Sequence, residues 1–524
     1  MQVTNNIASL AKPKRKGILS LIFSRFFIIV LLILLELAII VIPIFLLEEH
    51  IPHFVVGLGV ITIVTMVYLF NCKMDSTAKL TWMFIIAILQ VPGALMLLFI
   101  QTNAGHRLIK ERTDKLIADT KAMIPQDPKI IDQLRKEDSC TDDLVRYLNR
   151  SGCFPAFAKT ETTYFPSGKE KFEALLEELA KAEKYIFMEY FIIEEGYMWG
   201  SILKILIDKA KAGLDVRVMY DGMCDISTLP SNYCKLMEAE GIKAKKFAPI
   251  KPLLSSHYNY RDHRKICVID GKTAFTGGVN LADEYINEIE RFGHWKDTAI
   301  MMKGDAARSF TLMFLQMWNV DEKESPDFSI VEEGAGFEAA DPSGYVIPYC
   351  DCPLDEDKVG EAVYMDLLNR AGEYVHIMTP YLILDGELET ALKFAGQRGI
   401  DVKLILPGIP DKKVAYSLAK SHYPSLLEAG VRIYEYTPGF VHAKVCVSDD
   451  ERGVVGTINM DYRSLYHHFE CASYLYNTSC IPEMEKDFQQ TLAQCREVTK
   501  ETLKDQEAFY KIVGPIAKFI APLL

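Results

Sequence analysis

The chain has 524 residues, of which 49% are hydrophobic and 24% are charged, and its formal net charge is −12. This apolar content is sufficient for a folded core and excludes intrinsic disorder as the main state. The acidic balance argues against a nucleic-acid-binding protein that relies on bulk positive charge. At about 150 residues per domain, the length suggests about three domains.

The first hundred residues differ from the rest of the chain. They carry seven Lys and Arg against four Asp and Glu, whereas the remainder is strongly acidic. Three apolar runs fill this region, at Phe26–Leu47, Phe54–Phe70 and Leu80–Ile100. A helix of about 20 apolar residues crosses the hydrocarbon layer of a bilayer, and the first and third runs meet this length. The pattern predicts transmembrane helices within residues 26–101, preceded by a basic segment over residues 1–25.

The charged flanks leave the membrane topology open. Basic residues precede the first apolar run and also follow the third. The positive-inside rule therefore favours the same side of the membrane for both ends of the region. Pro92-Gly93 marks a point at which the third run can break instead of spanning the bilayer. The sequence is thus compatible with two or three crossings.

The acidic part of the chain contains an internal repeat. Gly213–Tyr220 and Gly399–Leu406 each consist of a turn followed by a strand-like alternation. Helical stretches such as Lys169–Ala182 and Glu387–Gln397 lie between the strands of each copy. Strands that alternate with helices indicate layered α/β architecture, and the repetition indicates two copies of one unit. We therefore predict two α/β/α sandwich halves.

This organisation divides the chain into six predicted segments. The loop Val331–Gly344, which is rich in glycine, alanine and acidic residues, marks the boundary between the two halves. The segments are a basic N-terminal segment (1–25), transmembrane segments (26–101), a connecting segment (102–158), a first half (159–335), a second half (336–500) and an apolar C-terminal tail (501–524).

One short motif occurs once in each half. A histidine and a lysine two residues apart are followed by an aspartate, and an asparagine lies ten positions after that aspartate. One such match is weak evidence, whereas two matches with the same spacing are strong evidence for a shared function. The matched residues are His263, Lys265, Asp270 and Asn280 in the first half, and His442, Lys444, Asp449 and Asn459 in the second.

These residue types suit the chemistry of phosphate esters. A neutral imidazole can attack phosphorus and form a covalent intermediate. A second, protonated imidazole can donate a proton to the leaving alkoxide. Ammonium and amide groups can hold the non-bridging oxygens while negative charge develops on them. Because each half supplies a single motif histidine, such a site requires both halves to meet.

The two motif blocks resemble those of the phospholipase D superfamily, and more closely those of its bacterial cardiolipin synthases. The blocks are Asn259–Tyr285 and Gly439–Ser464, and the resemblance extends over nearly all of residues 100–524. It implies two α/β/α halves in a pseudo-twofold arrangement, with an active site between them that works without a metal or another cofactor. The family commonly has two membrane segments, whereas this chain has three apolar runs.

The resemblance also implies a reaction. His263 would attack one phosphatidylglycerol and expel glycerol. His442 would protonate that glycerol and then deprotonate a hydroxyl of a second phosphatidylglycerol, which gives cardiolipin. The groups that would hold the phosphate are Lys265, Lys444, Asn280 and Asn459.

Four carboxylates belong to the predicted site. Asp270 and Asp449 complete the two motifs, but they lie an odd number of positions from their histidines along a strand, so we interpret them as structural residues that pair with turn donors. In the superfamily a downstream acid orients each imidazole and fixes its tautomer. Asp297 and Glu470 occupy the matching places in this chain.

The resemblance further implies a multi-pass protein of the bacterial cell membrane whose partners are phosphatidylglycerol and anionic membrane lipids, not nucleic acid. The segment Gly241–Lys265 is rich in basic residues and would suit anionic headgroups. The twelve cysteines lack a paired metal-binding spacing. Cys267 and Cys446 lie in the motif strands, where we expect buried thiols. The sequence gives no indication of the oligomeric state.

Other functions remain open on the sequence. A lipid hydrolase of the same superfamily would use water as the acceptor, and another phosphatidyl transferase would use a different lipid. The choice depends on how the site excludes water and admits an alcohol. A non-catalytic membrane scaffold is disfavoured because both motifs are complete.

Overall fold

The structure is a computed structural model that describes residues 51–101, 104–152, 154–249, 260–322, 327–504 and 507–523. The predicted apolar run Phe26–Leu47 lies outside these residues. The chain divides into two compact units. The small unit contains the described residues up to Arg107 and those from Phe519 onward, and the large unit contains the described residues between Leu108 and Lys518.

Three apolar helices form most of the small unit. The second predicted run lies within its first helix, whereas the third run forms two helices instead of one. In the part of the chain that the structure describes, no helix is both long enough and apolar enough to cross a membrane. The helices are α1 (Ile51–Asn71), α2 (Ser76–Ile88) and α3 (Gln90–Gln101).

The break in the third run has a local cause. Leu89, between α2 and α3, has ψ near 74°, which does not continue a helix. Pro92 follows in the first turn of α3, where a missing N–H is tolerated. A Cβ at Gly93 would lie 3.2 Å from the Cα of Ile86, so this glycine lets the two helices approach closely. The third run is therefore a helical hairpin, not a continuous span.

The end of the chain contributes to this small unit. Thr81 Oγ1 donates a hydrogen bond of 2.7 Å to the carbonyl oxygen of Phe519. The ring of Phe84 lies 4.4 Å from the ring of Phe519. Trp82 and Ile86 lie in the buried core of the three helices. The C-terminal residues thus pack on α2.

Several helices precede the first sheet of the large unit along the chain. They are α4 (Ala104–Thr120), α5 (Pro128–Glu137) and α6 (Ser139–Gly152). The described strands of the first half are β1 (Thr160–Phe165), β2 (Tyr185–Tyr190), β3 (Asp215–Asp221), β4 (Lys243–Phe247), β5 (Arg261–Asp262), β6 (Lys265–Ile269), β7 (Thr273–Gly277), β8 (His294–Lys296) and β9 (Ala299–Gly304). Its helices are α7 (Gly168–Lys181), α8 (Tyr197–Lys211), α9 (Cys224–Ser227), α10 (Tyr233–Ala239) and α11 (Ala307–Trp318).

The second half follows the same order of elements. Its strands are β10 (Tyr345–Asp351), β11 (Tyr374–Met378), β12 (Leu382–Ile383), β13 (Asp401–Pro407), β14 (Arg432–Tyr436), β15 (Gly439–Val441), β16 (Val445–Ser448), β17 (Arg452–Gly456), β18 (Met460–Asp461), β19 (His468–Tyr476) and β20 (Cys495–Val498). Its helices are α12 (Val359–Arg370), α13 (Gly386–Gln397), α14 (Lys413–Glu428), α15 (Tyr462–Tyr466), α16 (Ile481–Leu492), α17 (Lys500–Lys504) and α18 (Ala508–Ile520).

The two main sheets correspond strand by strand. The first has the order β1-β9-β7-β6-β2-β3-β4, and the second has the order β10-β19-β17-β16-β11-β13-β14, extended by β20. In each sheet three strands pair in parallel, β2-β3-β4 in one and β11-β13-β14 in the other. The predicted α/β repeat is therefore confirmed.

One hydrophobic core runs through both halves. Helix α11 is buried along most of its length, and it packs on β2 and β6 of the first sheet and on β10 of the second. A single cluster of buried side chains includes Phe187 and Ile266 from the first half and Ile377 and Val445 from the second. Burial of this apolar surface fixes the two sheets relative to each other.

Two very short strands cross between the halves. β5 pairs in parallel with β19, and β15 pairs in parallel with β8. In the first pairing Asp262 lies opposite Phe469, and in the second Val441 lies opposite Lys296. Each pairing ends immediately before a motif histidine on one strand and a predicted orienting acid on the other.

The motif aspartates fix the turns at the far ends of the motif strands. Asp270 follows β6 in a left-handed conformation, with φ of 54°, and its carboxylate accepts hydrogen bonds of 2.8–2.9 Å from the N–H groups of Glu183, Lys184 and Tyr185. Asp449, with φ of 55°, does the same for three residues that lead into β11. These contacts tie each motif strand to its neighbour.

We predict that Asp270→Asn lowers stability. Asparagine tolerates the left-handed conformation, but one carboxylate oxygen becomes an N–H donor that faces a backbone N–H. The expected loss in the free energy of unfolding is about 2 kcal/mol, typical of hydrogen bonds to a charged group. Urea unfolding measures it, with the exposed Asp208→Asn as the control. Equal stability of the two variants would contradict this role.

Candidate active site

The two motif histidines are buried, and each bonds to a carboxylate from the other half. His263 Nδ1 lies 2.9 Å from Glu470 Oε1, and His442 Nδ1 lies 2.7 Å from Asp297 Oδ2. The imidazoles are 6% and 8% exposed, so only a small part of each ring reaches the site opening. A carboxylate on Nδ1 favours the tautomer with its proton there and leaves Nε2 free to react. The orienting acids therefore act in trans between the halves.

The local sequence explains this close approach. The backbone N–H of His263 donates to the carbonyl oxygen of Phe469 at 2.9 Å, which continues the β5–β19 pairing. The N–H of His442 donates to the carbonyl oxygen of Lys296 at 2.7 Å, which continues the β8–β15 pairing. A Cβ at Gly278 would lie 1.9 Å from Asp297 Oδ1. Gly278, the third glycine of the first motif block, thus makes room for the carboxylate that contacts His442.

The two motif lysines are almost fully buried beside the histidines. Lys265 Nζ donates to the carbonyl oxygen of His263 at 2.7 Å. Lys444 Nζ lies 3.0 Å from His442 Nδ1 and also donates to the carbonyl oxygen of His442. Buried ammonium groups are costly unless an anion accompanies them. The pair of lysines therefore favours the binding of a negatively charged group.

The two asparagines differ in their partners. Asn280 accepts a hydrogen bond from the N–H of Ile192 at 3.1 Å and donates to the hydroxyl of Tyr285 at 2.8 Å. Asn459 donates to Asp461 at 3.1 Å, and its Oδ1 is buried without a partner among the described residues. Both residues are buried, and their contact with a phosphate stays a prediction.

Burial and nearby cations lower the pKa values of both motif histidines. Burial and the neighbouring Lys265 hold the pKa of His263 well below its ordinary value. Burial and Lys444 lower the pKa of His442 to about 4, although Asp297 opposes this change. Both imidazoles are thus neutral near pH 7 in the absence of substrate. Because each lysine and the other histidine also influence His263, the four groups belong to one site.

The two orienting acids have pKa values shifted in opposite directions. Burial raises the pKa of Glu470 well above its ordinary value. Burial also opposes ionisation of Asp297, but His442, Lys444 and the N–H of Thr298 outweigh it and hold the pKa of Asp297 below its ordinary value. Asp297 is therefore the stronger anion. An ionised partner stabilises a protonated imidazole, so Asp297 supports protonation of His442 more than Glu470 supports protonation of His263.

A third histidine lies in the site and was missed in the sequence. His468 is 7% exposed, and its ring lies 5.2 Å from the ring of His263. It precedes Glu470 by two positions, as Trp295 precedes Asp297, and the ring of Trp295 lies 5.4 Å from the ring of His442. Aligning the segments around the two acids would have shown this correspondence.

Three side chains around His263 have the atoms of a metal site. His263, His468 and Glu470 each place one potential ligand atom within 4.8 Å of the others. However, Lys265 lowers the pKa of both histidines by charge repulsion, and the same repulsion opposes a metal cation. We therefore assign these residues to the handling of protons and hydrogen bonds.

The predicted basic segment is largely paired with acids. Lys243 lies 2.8 Å from Asp215, and Lys246 lies 2.8 Å from Asp225. These ion pairs reduce the positive potential that the sequence suggested for this segment. Part of it, residues 250–259, lies outside the described residues.

Cys267 and Cys446 are buried, which confirms the prediction of buried thiols in the motif strands.

Each half of the repeated α/β fold contributes one buried imidazole from the position just before its motif strand, with a lysine and a carboxylate beside it. This arrangement defines a phosphoryl-transfer site of the phospholipase D type. The sequence matches the family described as cardiolipin synthase, PLD-like domain, at residues 175–318 and 364–492. On this match, and on the relatives below, the chain belongs to the cardiolipin synthase family of phospholipase D-like proteins.

Three comparisons illustrate this relationship. An uncharacterized protein of Streptococcus mutans is 54% identical over 88% of this chain and 99% of that protein. A cardiolipin synthase of Alkalihalophilus pseudofirmus is 34% identical over 86% of this chain and 89% of its own length. The solved structure of phosphatidylserine synthase from Haemophilus influenzae has a TM-score of 0.53 at 16% identity, covering 73% of this chain and all of that chain. This last similarity supports the fold.

We predict that phosphodiester binding weakens as the pH rises. The pKa of Lys444 is lowered to about 7 and that of Lys265 to about 8, in both cases by burial. Each lysine is charged below its pKa and loses its charge above it, so the free site loses positive charge between about pH 7 and pH 8. A soluble phosphodiester with constant charge should bind about tenfold or more weakly at pH 8.5 than at pH 6.5.

Isothermal titration calorimetry measures this change. Lys444→Gln should bind more weakly and show a flatter pH dependence. The exposed Lys204→Gln serves as the control with the same chemical change. An affinity of the unmodified protein that stays constant across this pH range would contradict the assignment.

Proposed function

We propose that the chain synthesises cardiolipin by transferring a phosphatidyl group from one phosphatidylglycerol to another. The chain belongs to the cardiolipin synthase family, and it is a phosphatidyltransferase of the phospholipase D superfamily. The observation that carries the proposed mechanism is the pair of cross-half contacts, His263 with Glu470 and His442 with Asp297. They hold two buried imidazoles through Nδ1 and leave the two Nε2 atoms for the reaction.

In the first step His263 attacks the donor phosphorus. A bond forms between Nε2 and phosphorus, and the bond from phosphorus to the glycerol oxygen breaks. The bound phosphate anion offsets the repulsion from Lys444, so His442 takes up a proton beside ionised Asp297 when the donor binds. It gives this proton to the glycerol oxygen and becomes neutral. Glycerol leaves, and the phosphatidyl group remains on His263.

In the second step the acceptor lipid replaces glycerol. Neutral His442 removes the proton from a glycerol hydroxyl of the second phosphatidylglycerol, whose oxygen then bonds to phosphorus. The bond from phosphorus to His263 breaks, and cardiolipin is released. Positive charge from Lys265 and Lys444, with amide groups of Asn280 and Asn459, stabilises the non-bridging oxygens throughout. His442 ends protonated and ready for the next donor.

The membrane location of the enzyme is also part of the proposal. We propose a multi-pass protein of the bacterial cell membrane, anchored by its N-terminal helices. Many large apolar side chains of these helices face outward, and monomeric soluble proteins seldom expose such patches. The exposed residues include Val56, Val60, Ile63, Val64, Val67, Phe70, Leu80, Phe84, Ile88, Leu95 and Leu98.

We predict that the purified full chain, given phosphatidylglycerol as the sole lipid, produces cardiolipin and glycerol in equal amounts. Thin-layer chromatography and a glycerol assay measure both products. His263→Ala and His442→Ala should each lower the rate by about 10³-fold or more. His376→Ala provides a matched control, since His376 bonds to Glu485, a partner that takes no part in the proposed mechanism.

The products distinguish the alternatives. Phosphatidic acid as the sole product would contradict the transferase and support a lipid hydrolase. Mass spectrometry of peptides from rapidly quenched enzyme locates the covalent intermediate, which we expect on His263. A phosphohistidine at His442 would reverse the two roles.

A further inference from the structure

His468 is a buried polar group that the proposed mechanism leaves unused. It is the first residue of β19, and its side chain is more than nine-tenths buried. Neither ring nitrogen has a hydrogen-bond partner among the described residues. The nearby Glu470 Oε1 is 3.5 Å from Nδ1 and makes no hydrogen bond to it. Because buried polar atoms are nearly always paired in folded proteins, two unpaired nitrogens in a reaction site indicate a missing ligand.

The position of His468 makes the two sides of the site unequal. Beside His263 the neighbouring rings are His468 and Phe191, which lie 5.2 Å and 5.0 Å from it. Beside His442 the equivalent place is held by Trp295, whose indole N–H already faces Asp297 at 3.4 Å. The pseudo-symmetric fold thus places a histidine with two nitrogens unpaired among the described residues where the other side has a tryptophan, while the hydroxyl of Tyr285, whose ring lies 5.4 Å from the ring of His442, is already paired with Asn280. Two molecules of the same lipid must take different places in this site, and such a difference can distinguish them.

The charges around His468 define the kind of ligand. Burial lowers the pKa of His468 well below its ordinary value, and Arg463, His467, Lys265 and Arg261 add to this effect. The ring is therefore neutral, with one N–H donor and one acceptor nitrogen. A phosphate oxygen can only accept a hydrogen bond. An ammonium group can only donate, and the surrounding cations repel it. A hydroxyl group both donates and accepts.

We infer that His468 binds a hydroxyl of the glycerol headgroup at the reacting phosphate and thereby favours glycerol over acceptors that lack a second polar group. This inference rests on the proposed function, because the headgroup is that of phosphatidylglycerol. Glycerol carries its hydroxyls within a few bonds of the phosphate ester, close enough to reach the walls of the site. One hydroxyl enters the transfer, and another pairs with His468.

The reverse reaction tests this inference with small acceptors. The full-length enzyme is given cardiolipin vesicles and either glycerol or methanol, and kcat/KM is measured for each alcohol. Methanol has no second hydroxyl for His468. In His468→Phe the glycerol-to-methanol ratio should fall by about tenfold or more, as expected when a site loses its partner for a substrate hydroxyl. His468→Leu guards against a folding failure of the first variant.

Two further variants complete the design. His468→Asn keeps a donor and an acceptor, so it should restore much of the preference for glycerol. His376→Phe, a control substitution of a histidine bonded to Glu485, should keep the ratio of the unmodified enzyme.

The possible results are distinct. A ratio unchanged in His468→Phe and His468→Leu, or a loss that His468→Asn does not reverse, would overturn the inference. If the unmodified enzyme forms no cardiolipin from phosphatidylglycerol, the proposed function itself fails. That forward assay therefore separates the two failures.

Discussion

Two short parallel strand pairings between the halves hold the reaction site together. β5 runs beside β19, and β8 runs beside β15, for only two or three residues each. A motif histidine follows immediately after the paired residues of one strand of each pairing, and an acid follows immediately after those of the other. The hydrogen bonds from the imidazoles to Glu470 and Asp297 are direct consequences of this register. A shift of one residue in either pairing would separate an imidazole from its carboxylate.

This constraint explains why both halves have to be present in one folded body. A single half would contain a histidine without its orienting acid and an acid without its histidine. The continuous core around α11 keeps the sheets in the position that both pairings require. The duplication therefore supplies two complementary parts of one site, not two separate sites.

The same constraint concentrates positive and neutral nitrogen groups in a buried space. Burial lowers the pKa values of His263, His442, Lys265 and Lys444. Repulsion from neighbouring cations adds to this effect for the two histidines and for Lys444. Such a cluster is unfavourable by itself, and a phosphate anion relieves it. The pKa of Asp297 is lowered whereas that of Glu470 is raised, so two chemically similar imidazoles have different partners. Different environments can give two similar groups different pKa values, and this allows a symmetric fold to perform an asymmetric reaction.

Much of the fold could be predicted from the sequence, because the repeat is visible as matching alternations and matching motifs. The motif strands, the burial of Cys267 and Cys446 and the structural role of the motif aspartates all follow from the pattern of the motif segments. The sequence marked Pro92-Gly93 as a point where the third apolar run can break, whereas the break at Leu89 depends on the close approach allowed by Gly93, a tertiary contact.

The pairing within the site could not be derived from spacing. Sequence reasoning identified Asp297 and Glu470 but gave no indication that each serves the histidine of the other half. That exchange depends on β5 and β15, which are too short to produce a recognisable pattern. His468 was missed for a related reason. A lone histidine in a buried strand is uninformative until the structure shows that both of its nitrogens lack partners among the residues that it describes.

The most direct test of the cross-half pairing is nitrogen NMR of the imidazole rings in the full chain. The ¹⁵N shifts of His263 and His442 report which ring nitrogen carries the proton. Glu470→Gln should change the signals of His263, in the other half, and leave those of His442 nearly unchanged. Asp297→Asn should have the opposite effect. A change at His442 in response to Glu470→Gln, with His263 unaffected, would contradict the pairing.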